Sequence, residues 1–78
     1  MARLLFLGPA RDATGTGLDV VDGDSLDAVL AEAVRRYGPQ LQRVLDVSRV
    51  WVNGEPADAG APIVHDDEIA VLPPVSGG

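Results

Sequence analysis

The residues best suited to chemistry lie at the C-terminus, which has the sequence Pro73-Pro74-Val75-Ser76-Gly77-Gly78. Proline fixes φ and lacks a ladder N–H, so the two prolines end any strand that precedes them. Because glycine has no Cβ, the last two residues can enter a narrow channel and present the terminal carboxylate as the only reactive group. Fully extended, the six residues reach ~20 Å. The sequence therefore predicts a flexible tail over residues 73–78 whose carboxylate a partner enzyme can activate.

The other polar residues do not predict a catalytic site. His65 is the only histidine, and its position beside two aspartates favours a solvated turn over a general base or a metal cluster. The acidic residues 66–68 lack the spacing of a calcium loop, and Gly15-Thr16-Gly17 lacks the context of a phosphate-binding loop. Ser76 has no neighbouring base. We therefore do not expect an enzyme with a catalytic site of its own.

Composition narrows the class of protein further. The 78 residues include no cysteine, six basic residues that are all arginine, and twelve acidic residues, and the pI is about 4.3. The length predicts one small domain held by burial alone, without disulfides or thiolate metal sites. A net charge of −6 disfavours nucleic acid as a partner and favours a basic protein surface. No apolar run is long enough for a membrane span or a signal peptide, so we expect a cytoplasmic protein.

Hydrophobic periodicity predicts one strong helix and several strands. An apolar stripe at helical spacing covers residues 26–37, with Ser25 or Asp24 as the N-cap and Gly38-Pro39 as the stop. Residues 40–45 suggest a short helical turn. Strands are predicted at residues 3–7, 18–21, 49–52 and 68–72, with a short edge strand at 63–64. The glycine-rich residues 8–17 are predicted as a turn-rich link and residues 55–62 as a loop.

This element order predicts an α+β fold. A hairpin, a crossover helix and later strands pack most simply as a β-grasp, or ubiquitin-like, domain with a mixed sheet of four to five strands on one main helix. The first and last strands then lie side by side and parallel. The predicted domain spans residues 1–72, and the tail spans residues 73–78.

Strand alternation predicts an apolar patch on the sheet side away from the helix. It consists of Leu5, Leu7, Trp51, Ala70 and Leu72. A contiguous apolar patch on a small domain usually marks a partner surface, and Trp51 is the natural anchor. The alternative is that Trp51 packs in the core and the strand phase is off by one residue.

Several segments resemble the ThiS/MoaD-type ubiquitin-like sulfur carriers, and most closely the branch that forms the small subunit of molybdopterin synthase. The resemblance covers the whole chain and rests on Leu72-Pro73-Pro74-Val75-Ser76-Gly77-Gly78, Leu4-Leu5-Phe6-Leu7-Gly8-Pro9-Ala10-Arg11, Asp24-Ser25-Leu26, Val52-Asn53-Gly54 and Asp67-Glu68-Ile69. It implies a β-grasp domain with no bound cofactor. It also implies that Gly78 cycles between carboxylate and thiocarboxylate in molybdenum cofactor biosynthesis.

The resemblance also implies the partners. A ubiquitin-activating-type adenylating enzyme uses ATP to convert the Gly78 carboxylate to an acyl-adenylate, and a persulfide donor then replaces AMP. The tail inserts into the active site of the synthase large subunit, in a heterotetramer. Leu7 and Leu72 match positions that form the family's apolar contact with that subunit, where aromatic residues are common.

Three alternatives stay open at this point. The acceptor of the sulfur can be thiamine thiazole, a tRNA nucleoside, cysteine or a specialised metabolite. The chain can instead be a ubiquitin-like modifier joined to target amines through Gly78. Finally, the two glycines can be a terminus without function.

Overall fold

The structure, a computed structural model, describes residues 1–72; the predictions for residues 73–78 lie outside the described residues. The described chain contains five strands and three helices. In order they are β1 (Ala2–Phe6), α1 (Pro9–Thr14), β2 (Leu18–Val21), α2 (Leu26–Tyr37), α3 (Pro39–Val47), β3 (Arg49–Val52), β4 (Glu55–Pro56) and β5 (Glu68–Leu72).

The strands form one mixed sheet in the order β2-β1-β5-β3-β4. β1 and β2 are an antiparallel hairpin, and β3 is antiparallel to both β4 and β5. The N-terminal and C-terminal strands, β1 and β5, are parallel neighbours in the middle of the sheet. This topology confirms the α+β, β-grasp prediction.

One side of the sheet faces the helices and forms the core. Alternate residues of the two central strands are fully buried on this side: Leu4, Phe6, Ile69 and Val71. The predicted stripe of α2 covers them, and the helix begins as expected because the Ser25 hydroxyl accepts a hydrogen bond from the Ala28 N–H at 3.2 Å. The α2 prediction is therefore confirmed in both position and packing.

The prediction of a turn-rich link over residues 8–17 is wrong, because α1 occupies most of it. Proline at the first helical position has a suitable φ and gives up only an N–H that is free there anyway. Gly15, at φ 77°, closes the helix in the left-handed conformation. Ala10 is buried against the core. The six-residue helix thus depends on tertiary packing rather than on its own propensity.

Two further elements differ from the predictions. The short turn at residues 40–45 is part of a nine-residue helix, α3, whose Leu41 is fully buried. The edge strand predicted at residues 63–64 is absent; its place as the edge is taken by β4. Asn53 and Gly54, both at positive φ, form the tight turn that returns the chain from β3 into β4.

Candidate functional site

The outer side of the sheet carries an apolar row that crosses all five strands. Strand register places Leu5 of β1 beside Leu18 of β2 and beside Ala70 of β5. Ala70 in turn lies beside Trp51 of β3, which lies beside Pro56 of β4. We call this set the outer row: Leu18, Leu5, Ala70, Trp51 and Pro56. Cross-strand neighbours on one face are close enough to form a continuous surface.

Charged residues border the outer row on both sides. Toward the start of β1, Arg3 lies beside Glu68, and their side chains form an exposed ion pair with an N–O distance of 3.7 Å. Toward the end of β5, the exposed Arg49 lies beside Leu72. An apolar centre with a polar rim is the usual arrangement of a protein-binding surface.

The structure places the sequence-predicted residues of residues 1–72 on this outer side. Leu5, Trp51 and Leu72 are half-buried, and Leu7, one residue beyond the end of β1, is 43% exposed. Val50 and Val52 pack against the core, so Trp51 between them points outward. The alternative in which Trp51 belongs to the core is therefore excluded. Pro73, Pro74, Val75, Ser76, Gly77 and Gly78 lie outside the described residues.

Three members of this surface were missed by the sequence analysis. Leu18 and Val20 are 50% and 43% exposed on the outer side of β2, and Pro56 extends the row onto β4. Alternation alone did not decide which side of β2 faces the core. The pairing of Val21 with Ala2 buries Val21 and places Leu18 and Val20 on the outer side. Pro56 could not be found because β4 itself was taken for a loop.

The shifted pKa values among the described residues have structural causes away from the outer row. Hydrogen bonds from Arg35 and Arg36 hold the pKa of Glu32 down to about 2. A hydrogen bond from the Tyr37 hydroxyl lowers the pKa of Asp19, and the same bond raises the pKa of Tyr37. Arg36 and Tyr37 bond to Asp19 and thereby join α2 to β2, so a structural contact accounts for these pKa shifts.

The remaining polar groups of residues 1–72 also lack a catalytic arrangement. His65 is exposed, as predicted, and its ring lies 3.4 Å from an oxygen of Asp66. Within this range, no group of three or more histidine, cysteine, aspartate or glutamate side chains is placed to hold a metal ion. A groove of about 430 Å³ lies between α2 and α3, and its only titratable lining residues are Asp27 and Asp46.

No helix within residues 1–72 has the length and apolar character needed to cross a membrane.

The mixed sheet, with β1 and β5 parallel at its centre and α2 across one side, defines a ubiquitin-like β-grasp protein. The family model described as "ThiS family" matches residues 4–78 of the chain. The chain therefore belongs to the ThiS family, within the ThiS/MoaD type of ubiquitin-like sulfur carriers.

Two relatives and two solved structures are similar over nearly the whole chain. The molybdopterin synthase sulfur carrier subunit of Arabidopsis thaliana is 32% identical, covering 97% of this chain and 81% of that protein. The protein of the same name from Dictyostelium discoideum is 31% identical, covering 97% and 94%. SAMP1 from Haloferax volcanii superimposes with a TM-score of 0.80 at 31% identity, covering 99% of this chain and 98% of that one. SAMP1 from Methanosarcina acetivorans reaches a TM-score of 0.88 at 24% identity, covering 99% and 95%, which supports the fold.

Proposed function

We propose that this protein carries sulfur on its C-terminal glycine as the small subunit of molybdopterin synthase in molybdenum cofactor biosynthesis. Two observations support the pathway: both curated relatives bear that subunit's name, and the family match extends to Gly78. The structural observation that carries the proposal is the outer row, an apolar surface next to the strand from which residue 73 continues. The protein works in the cytoplasm, where ATP is supplied.

The first chemical step is activation of the Gly78 carboxylate. A carboxylate oxygen attacks the α-phosphorus of ATP on a ubiquitin-activating-type adenylating enzyme, and pyrophosphate leaves. The product is an acyl-adenylate, in which AMP is a good leaving group. Gly77 and Gly78 have no side chains to obstruct a narrow active site, and this explains why glycine suits both positions.

The second step installs sulfur. The terminal sulfur of a donor persulfide attacks the acyl carbon and AMP leaves, which gives an acyl disulfide with the donor. A second thiol of the donor system attacks the donor's own sulfur, forms a disulfide with it and releases the Gly78 thiocarboxylate. That thiocarboxylate is a nucleophile at neutral pH. Its sulfur bonds to a carbon of a pterin precursor held by the large subunit and displaces an oxygen substituent from that carbon. Water then cleaves the bond between the sulfur and the acyl carbon of Gly78, which returns the carboxylate.

Docking uses the outer side of the sheet and the tail together. Trp51, Leu5 and Leu72 are half-buried apolar side chains, which can be covered by a partner with little further ordering cost. Leu7 extends the apolar surface beyond β1. The tail residues Pro73, Pro74, Val75 and Ser76 are assigned to the partner's channel. The partners proposed for this surface are the adenylating enzyme and the synthase large subunit, the latter in a heterotetramer.

The intact mass of the protein from its own host tests this proposal. Purified with its natural C-terminus, a fraction of the chain is expected to be heavier by the difference between one sulfur and one oxygen atom, localised to Gly78. An unmodified mass after incubation with the cognate adenylating enzyme, ATP and a persulfide donor would refute the carrier role.

Deleting Gly78 separates function from folding. We expect complete loss of sulfur transfer, with a free energy of unfolding within about 0.5 kcal/mol of the wild type, because a terminal residue contributes little to folding. Val47→Ala, a truncation of a 63%-exposed side chain at the end of α3, is the matched control and keeps full transfer. Transfer by the deleted protein would contradict the proposed chemistry.

A second candidate function is protein modification. The 31% identity to Haloferax volcanii SAMP1, named a small archaeal modifier protein, favours it. Both functions begin with activation of Gly78, but a modifier ends in an amide bond between Gly78 and an amine of another protein. Mass spectrometry of total host protein distinguishes them, since modification leaves the tail residues attached to lysine side chains and sulfur transfer leaves none.

A further inference from the structure

One edge of the sheet, β2, has its outward-facing backbone groups covered by side chains of the same chain. The Phe6 N–H donates to the Gly17 carbonyl at 3.0 Å, which fixes the phase of the β1–β2 ladder. In that phase, Leu18 and Val20 are the residues of β2 whose N–H and C=O groups point away from β1. These four groups are where a further strand would attach.

Both groups of Leu18 are occupied by one hydroxyl. Thr16 Oγ1 donates to the Leu18 carbonyl at 3.1 Å and accepts from the Leu18 N–H at 3.4 Å. Both groups of Val20 are occupied as well. The Val20 N–H donates to Asp19 Oδ1 at 2.7 Å, and Arg36 Nη1 donates to the Val20 carbonyl at 3.0 Å.

Arg36 is held in place by two carboxylates. Its guanidinium lies 3.0 Å from Glu32 Oε2, one turn earlier on α2, and 3.3 Å from Asp19 Oδ2 on β2. The last turn of α2 is thereby fastened over the end of the β2 edge. The neighbouring arginine, Arg35, bonds to Glu32 but makes no bond to β2 among the described residues.

We propose that Thr16, Asp19 and Arg36 close the β2 edge against strand pairing, and that the occupant they exclude is β2 of a second copy of this chain. The edge carries two exposed apolar side chains, Leu18 and Val20, which would favour association if the backbone groups were free. Closure leaves the outer row open to partners while it prevents the carrier from pairing with itself.

A second copy is the fitting occupant because β2 can pair with itself. A two-fold antiparallel arrangement centred on Val20 places Asp19 of each copy beside Val21 of the other, so the two carboxylates do not meet. The apolar Leu18 and Val20 side chains then extend one surface across both copies. The net charge of −6 on each copy opposes this pairing, and high salt screens that repulsion.

The test is the double variant Thr16→Val/Arg36→Met in high salt, which frees three of the four groups. Sedimentation equilibrium is expected to show dimerisation at least about tenfold stronger than in the wild type, about 1.4 kcal/mol. Amide exchange at Leu18 and Val20 is expected to slow as the concentration of the variant rises. Arg35→Met is the matched control and behaves as the wild type.

Two outcomes would overturn the proposal. One is a folded double variant that stays as monomeric as the wild type, with exchange at these two amides independent of concentration. The other is equally strong dimerisation of the wild type and Arg35→Met through the same two amides, since the edge would then already be open. If the double variant does not fold, the single variants Thr16→Val and Arg36→Met are measured at the same amides and judged by the same two criteria.

Discussion

The two sides of the central strands use the same kinds of residue for different purposes. On the inner side, Leu4 and Ile69 are completely buried under the helices. On the outer side, their chain neighbours Leu5 and Ala70 are only half-buried, within a row that crosses five strands. Because side chains alternate with a period of two, one five-residue strand supplies both the core and a recognition surface. Substitutions at neighbouring residues of one strand can therefore change stability and partner binding separately.

The largest difference in stability is expected between alanine substitutions at the two adjacent leucines of β1. Leu4→Ala leaves a cavity in a fully buried site and is expected to cost about 3 to 5 kcal/mol of unfolding free energy. Leu5→Ala removes a half-buried side chain from the outer side and is expected to cost about 1 kcal/mol. Urea denaturation of both variants measures the difference. Equal losses would show that the outer side is as much a part of the core as the inner side.

Substitutions on the outer side are expected to weaken partner binding more than they change the free energy of unfolding. Trp51→Glu places a charge within the outer row and should weaken binding to the proposed partners by about 30-fold, or 2 kcal/mol. Its unfolding free energy should change by about 1 kcal/mol or less. Leu72→Glu should act in the same direction. Isothermal titration calorimetry and denaturation are compared for each variant.

The control for these substitutions is Val47→Glu, which adds the same charge to an exposed residue at the end of α3. It is expected to leave binding unchanged and to cost at most about 0.5 kcal/mol of stability, because a carboxylate at a helix C-terminus opposes the helix dipole. If Trp51→Glu binds as well as Val47→Glu, the outer row is not the docking surface. If Trp51→Glu unfolds, the outer side contributes to folding more than its exposure indicates.

The smallest expected effect lies at the border of the two sides, where α2 meets β2. The Tyr37 hydroxyl donates a hydrogen bond to Asp19, while its ring packs edge-on against Phe6 at a centroid distance of 5.6 Å. Tyr37→Phe keeps the ring packing and removes the hydrogen bond, so it should cost about 1 kcal/mol near neutral pH.

The pH dependence of the stability lost in Tyr37→Phe shows whether the hydrogen bond between Tyr37 and Asp19 is its cause. The bond lowers the pKa of Asp19, so its stabilisation is present above the usual value of 3.8 and is lost as pH falls through the lowered pKa. The bond raises the pKa of Tyr37, so its stabilisation is present below the usual value of 10.0 and is lost as pH rises through the raised pKa. The difference in unfolding free energy between wild type and Tyr37→Phe should therefore shrink at both extremes. A difference independent of pH would assign the cost to packing instead.

Elements with a strong hydrophobic period were predictable from the sequence, and elements that depend on distant contacts were not. Four elements are long enough for the spacing of their hydrophobic residues to indicate a strand or a helix: the strands at 18–21, 49–52 and 68–72 and the helix at 26–37. α1 has six residues between glycines, and only the burial of Ala10 against the rest of the fold identifies it. β4 has two residues, one of them a proline, and is defined by its pairing with β3.

For the candidate site too, local periodicity was predictable from the sequence and long-range pairing was not. Leu5, Trp51 and Leu72 were placed correctly because the phase of a strand fixes which side each residue faces. Leu18 and Pro56 joined the site only once the register between strands was known, since register depends on turns and on long-range pairing.

The central position of β5 has a mechanical consequence. A partner that draws the C-terminus into its active site pulls along the axis of β5, which is bonded to β1 on one side and to β3 on the other. Such a pull loads two ladders in shear at once, whereas an edge strand would resist it with only one ladder. The domain can therefore remain folded while an enzyme holds it under tension by its last residues.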